Sequence, residues 1–157
     1  MTLIVGLPFH PLIVHAAVVL TPLAVLSALV FAVLARWRYL TRWPTAVLAV
    51  GAFASVWASR LSGGSFAETL GVGAAIHTHR ERGEQLSLIM IAFLVVVAVA
   101  VWGLGGPSAL VSGAGARETP VAALEKVLPV LLVVAALVVL VWVVLTGDAG
   151  ARAAWER

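Results

Sequence analysis

The chain of 157 residues has no cysteine. Disulfides, cysteine-ligated zinc, iron–sulfur clusters and thiol catalysis are therefore excluded. Charge is scarce too: 11% of the residues are Asp, Glu, Lys or Arg, while 62% are hydrophobic. Soluble domains average roughly 25% charged and about 45–50% apolar residues. A soluble fold of this size cannot hide so much apolar surface, because a small domain leaves much of its surface in water. A lipid bilayer must supply the missing solvent. No Lys or Arg precedes the first apolar run, which is also too long for a signal peptide, so that run is expected to be retained as a membrane span. The ten Lys and Arg, which leave a net charge of +3, form no basic stripe with interleaved aromatics, so nucleic acid is not an expected partner. Hydrolytic chemistry lacks its parts as well. There is no Gly-x-Ser-x-Gly and no pair of carboxylates within a span. Ser62-Gly63-Gly64-Ser65 has neither the Lys nor the strand context of a phosphate loop. With no independent catalytic constellation, the chain reads as a non-enzyme.

What is present is long apolar runs. A hydrocarbon core of about 30 Å needs roughly 20 apolar residues in helical form, and four stretches supply them: 11–35, 44–61, 86–105 and 127–146. Only helices satisfy their backbone groups within such segments. The expected fold is all-α: one four-helix transmembrane bundle spanning residues 1–157, with both termini on the same side. Pro11 and Pro44 suit a first helical turn. Gly105-Gly106-Pro107 and Thr146-Gly147 read as stops. Residues 36–43 then form a tight basic turn, 62–85 a longer polar connection, and 106–126 a flexible one rich in Gly, Ala and Ser. Ala24, Ala28 and Ala32, Gly51 and Ser55, and Ala54 and Ala58 repeat at spacing four, as close helix packing in a membrane requires. Trp37, Trp43, Trp57, Trp102 and Trp142 fall near span ends, as an interfacial belt does. Lys and Arg divide five against five between the two faces. The tight early cluster Arg36, Arg38 and Arg42 places 36–43 in the cytoplasm and the termini outside.

The starts of the first and third spans and the ends of the second and fourth share one face. That face receives all four histidines, His10, His15, His77 and His79, together with Glu68, Glu81, Glu84, Asp148 and Glu156. The opposite face has Glu118 and Glu125 and no His. His15 lies about a turn inside the first span. At that depth an ionisable group is expected to face the bundle interior or a cavity, as a metal or haem ligand, a proton relay, a quinone partner, or a neutral His bonded to a neighbouring helix. His10 precedes Pro11 and is expected to cap the helix. On an ideal helix it lies roughly 140° around the axis from His15, so the two do not share one small ion. His77 and His79, two apart, also diverge if helical but share a side if extended. A haem b needs one imidazole from each of two facing helices. His15 and His79 supply them if the third helix begins near Thr78, with Arg80 or Arg82 available to a propionate. The bland alternative for Arg80-Glu81-Arg82-Gly83-Glu84 is a solvated helix start.

Phe9-His10-Pro11-Leu12-Ile13-Val14-His15 resembles the opening signature of a bacterial membrane family, domain of unknown function 2231. Ser62-Gly63-Gly64 with Glu68 is similar to that family's Ser/Thr-Gly segment. His79-Arg80-Glu81-Arg82-Gly83-Glu84 is similar to its His-x-x-x-Gly-Glu element. The run from Thr146 to Trp155 resembles its closing Gly-His-x-Gly-Ala segment. Ala16-Ala17 replaces the family's aromatic-Pro, and Asp148 stands where the closing motif has His, which removes one possible ligand. The resemblance covers the whole chain. It implies a four-span module of the bacterial plasma membrane, and related modules occur beside redox domains of the Rieske and cytochrome c types.

Two functions are therefore expected. One is a small membrane redox module for electron transport. It would hold haem b or a metal near one face through His15 and His79, with His10 and His77 in reserve and Glu84 and Asp148 behind them. The other is a cofactor-free structural or assembly subunit of a larger respiratory-type membrane complex. Its partners are the bilayer and either other membrane-complex subunits or further copies of itself, and its His-rich face is extracytoplasmic. A transporter or channel is a third class, but beyond Arg60 the other spans hold almost no ionisable group, so no pathway across the membrane is visible.

Overall fold

The computed structural model describes residues 3–4, 7–70 and 76–155. Glu156 and Arg157, counted above on the histidine face, lie outside them. Strands β1 (Leu3–Ile4) and β2 (Leu7–Pro8) pair antiparallel over two residues each. Four helices follow: α1 Phe9–Val33, α2 Arg38–Leu70, α3 His77–Gly103 and α4 Ala122–Trp155. All four are long and apolar enough to cross a membrane. Sequential helices neighbour one another and α1 closes on α4, so α1 lies diagonally from α3. The fold is the expected all-α bundle, with the start of α1 and the end of α4 at the same end.

The core runs along a seam of small residues. Ala24, Ala28 and Ala32 are buried on α1, opposite Ala49, Ala52 and Val56 of α2. The spacing-four expectation holds on α1. On α2 it holds at Ser55 but not at Ala54, which is exposed. Phe31, Met90, Phe93, Val97, Leu132 and Val139 fill the space between helices at full burial. Val18, Val19, Leu26, Val47, Val95 and Val130 point outward. An outward apolar belt around a small core suits lipid as solvent. Within it, polar contacts are few, and Thr21 Oγ1 is buried without a hydrogen-bond partner. Thr45 Oγ1 donates to the Ser27 carbonyl at 3.2 Å and lies 2.7 Å from Ser27 Oγ, joining α2 to α1.

Helix α1 matches its expected span in length, two residues earlier, while α2, α3 and α4 exceed theirs, and the punctuation shows why. The first connection is one turn of 3-10 helix, Ala35–Trp37, and α2 starts at Arg38. Pro44 therefore sits inside α2 rather than in its first turn. Ser62-Gly63-Gly64-Ser65 does not end α2. Ser62 donates to the Ala58 carbonyl, Ser65 to Ser62 and Thr69 to Ser65. These hydroxyls serve the helix's own carbonyls and let it continue. Thr146-Gly147 likewise stays within α4, where Thr146 donates to the Trp142 carbonyl. At about 1.5 Å per residue, α2 (33 residues) and α4 (34 residues) measure roughly 50 Å, well beyond a hydrocarbon core of about 30 Å. The polar end therefore projects beyond the hydrocarbon.

The connection after α3 is ordered, where its composition suggests flexibility. Gly106 and Arg117 exchange backbone hydrogen bonds of 2.7 and 3.1 Å. Thr119 Oγ1 accepts from the Gly105 amide at 3.0 Å. A Cβ on Gly105 would overlap the Arg117 carbonyl, and one on Gly106 the Ala35 carbonyl. These two glycines admit a backbone crossing that no side chain permits. Arg38, 6% exposed, fastens the same end. It donates to the Phe31 and Ala32 carbonyls in the last turn of α1, each at 3.2 Å, and to Gly105 O at 2.6 Å. One guanidinium thus caps the end of α1 and ties it to the chain leaving α3, where helix dipoles favour a cation.

Candidate functional site

The projecting end carries the histidines, each placed by local helix geometry. His10 lies in the first turn of α1 rather than capping it, and its ring packs 5.3 Å from the Phe66 ring. Its Nδ1 lies 3.0 Å from Ser62 Oγ. Ser62 gives its one proton to carbonyls of its own helix, so His10 Nδ1–H donates to the hydroxyl oxygen. Gly63 makes room for this: a Cβ there would come 3.3 Å from His10 Cε1. His79 Nδ1–H donates across to the Thr146 carbonyl of α4 at 2.9 Å. The bare backbone of Gly150 admits that ring, since a Cβ there would sit 2.9 Å from Nδ1. His10 and His79 are both half-buried.

His15 and His77 behave differently. His15 was expected to face the interior, but it is exposed. Its Nδ1 donates to the Pro11 carbonyl one turn back, at 2.6 Å. That bond quiets the donor without a partner helix, so the ring can face outward at modest cost. His77 is also exposed, with Nδ1 3.7 Å from Glu81. Glu84 pairs with Arg80 at 3.5 Å and Asp148 with Arg152 at 2.9 Å. Both are i,i+4 pairs on a helix surface and do not reach a histidine. The charge run before the third span is thus a solvated first stretch of helix, with α3 beginning at His77.

No family model, no curated protein and no solved structure matches the chain. The chemistry is read from the site itself.

The proposed axial pair does not form. His15 points away from the bundle on α1, and His79 is on the diagonal helix, engaged with α4. Among the described residues there is no cluster of three or more His, Asp or Glu that could hold a metal ion. What the arrangement does is join helices. His10–Ser62 joins α1 to α2. Trp57 Nε1 donates to the Ser87 carbonyl at 3.2 Å and Arg60 to Ser87 Oγ at 3.0 Å, joining α2 to α3. His79–Thr146, with Trp142 Nε1 donating to Gln85 Oε1 at 3.1 Å, joins α3 to α4. Ser87 and Gln85 were not singled out in the sequence. Both sit in Gly83-Glu84-Gln85-Leu86-Ser87, where polar residues persist into the third apolar run, and that persistence was their signal. Trp57 and Trp142, which fall near span ends, donate their N–H groups to neighbouring helices. A cleft of about 310 Å³ opens beside His10, lined by Phe9, Leu61, Ser62, Ser65 and Phe66 among others.

Proposed function

We propose that the chain is a cofactor-free structural subunit of a larger membrane complex. Its histidine-bearing end is the docking face for a partner's external domain. One observation carries this reading: both half-buried histidines spend their Nδ1–H groups on clasps between neighbouring helices. Around them Glu68, Glu81, Asp148 and Arg152 stay exposed on a projecting rim. Such a rim suits polar recognition rather than lipid. The early basic cluster favours a cytoplasmic location for the turn after α1, which puts the docking face outside the bacterial plasma membrane.

A second reading, the redox module, rests on a different feature of the same rings. Donation from Nδ1 leaves Nε2 as the free lone pair on His10, His15 and His79. That is the orientation a metal-ligating histidine is usually given. His10 and His79, rather than His15 and His79, are the pair this favours.

Absorption spectra of the detergent-purified chain, oxidised and then dithionite-reduced, decide between the two. The subunit reading expects no visible bands and no stoichiometric metal. It also expects a co-purifying partner that is lost in Glu81→Lys/Asp148→Lys and kept in His79→Ala. A Soret band that vanishes in His10→Ala and His79→Ala, and survives in His15→Ala, would replace it with the redox module.

A further inference from the structure

The opposite end of the bundle holds a second feature, independent of the histidine end. Arg38, Arg42 and Arg117 line one small cleft with Tyr39, Leu104, Gly105, Gly106 and Gly115. Three arginines thus line one cleft with no carboxylate among the lining residues. The ion pairs among the described residues, His77–Glu81, Arg80–Glu84 and Arg152–Asp148, all lie at the histidine end. Of the acids near the arginine cleft, Glu118 and Glu125, neither is in ion-pair contact with it, and Glu125 lies within electrostatic reach of Arg38 but not of Arg42. Arg38 is committed to backbone carbonyls. Arg42 and Arg117 lie within electrostatic reach of each other. Arg42 Nε is buried without a hydrogen-bond partner. Like charges brought together around an unanswered donor cost free energy unless an anion joins them.

The depth of the cleft indicates which anion. Arg42 stacks over the Trp43 ring at 5.4 Å, and Arg117 donates to the Trp102 carbonyl. Trp43 is 65% exposed and Trp102 74%. Exposed tryptophans at span ends mark the headgroup level of a bilayer. The loop between α3 and α4 folds over the cleft. Gly115, in the left-handed region at φ +79°, lies so close to the Tyr39 ring that a Cβ would overlap it. The cleft is thus built by the fold, at phosphate depth, from the side chain best suited to phosphate.

We propose that this cleft binds a phosphate group, supplied by the headgroup of an anionic phospholipid. Basic pockets between spanning helices at a membrane face recognise such headgroups. Native mass spectrometry of the full chain in neutral detergent tests this, with phosphatidylglycerol, phosphatidylcholine and inorganic phosphate as probes. Three proteins are compared: the parent chain, Arg42→Gln/Arg117→Gln, and Arg36→Gln/Lys126→Gln. The last removes two charges from the same face outside the cleft. The expected result is preferential binding of phosphatidylglycerol, weakened about thirtyfold in the first variant and little changed in the second. Binding of inorganic phosphate alone, lost in the same variant, would support the phosphate site with a soluble source. Equal weakening in both variants would reduce the effect to surface potential and overturn the proposal. So would the absence of preference over phosphatidylcholine together with no response to phosphate. If the double variant does not fold, Arg42→Gln alone is expected to weaken binding about fivefold.

Discussion

At the scale of single residues, Gly63 and Gly150 at the histidine end are seats for rings rather than breaks in helices. His79 and Gly150 form the sharpest case, because the ring occupies the volume a Cβ would take. Gly150→Ala is expected to displace the ring and break its bond to Thr146, destabilising the bundle by about 1–3 kcal/mol in detergent unfolding. Gly147→Ala, with nothing within 4 Å, is expected to be neutral or slightly stabilising. In His79→Ala/Gly150→Ala the added methyl meets no ring, so the double variant should cost less than the sum of the two single ones. Additive costs would mean that the ring and the glycine do not share this space. The sequence marked Gly150 only as part of a motif and Thr146-Gly147 as a stop. It could not show that these residues face His79, because that depends on the register of α4 against α3.

At the scale of elements, the four helices were legible and their ends were not. Apolar length identifies a span because the bilayer sets a minimum. It is silent where a helix continues into polar sequence, as α2 does through Ser62–Thr69 by bonding its own carbonyls. It is silent also on how a compact turn is held. Residues 36–43 read as a basic connection, and the arginines there as orientation signals. Yet Arg38 is buried and serves the carbonyls of two other segments. Its replacement by Ala should leave the Phe31, Ala32 and Gly105 carbonyls without that donor, at a cost of roughly 2–4 kcal/mol. Arg36→Ala, exposed on the same turn, should cost about 0.5 kcal/mol or less. Parallel unfolding curves of the two variants check this. Similar losses would mean that charge at this face matters, and not the cap.

At the scale of the whole molecule, polarity is sorted by end rather than by side. Histidines and the ion pairs of the described residues occupy one end and the arginine cleft the other, with apolar helix between. This division was readable from topology alone, because an even number of spans sends alternate connections to alternate faces. Which histidines meet was not readable, since His15 differs from His10 only by the direction of its ring around α1. Alternation also makes the crossing testable on α2. Leu40 and Ser65 stand 25 positions apart on one continuous helix, about 38 Å along its axis, more than the hydrocarbon thickness. Both are exposed, and the chain has no cysteine, so Leu40→Cys and Ser65→Cys each carry a single thiol. With a membrane-impermeant maleimide added to intact cells, Ser65→Cys is expected to label directly and Leu40→Cys only after permeabilisation. The reverse pattern would keep the four-span bundle and invert it, moving the arginine cleft to the outer leaflet and the docking face to the cytoplasm. Direct labelling of both positions would mean that α2 does not cross the membrane, and the bundle would then have to be rebuilt from its second helix.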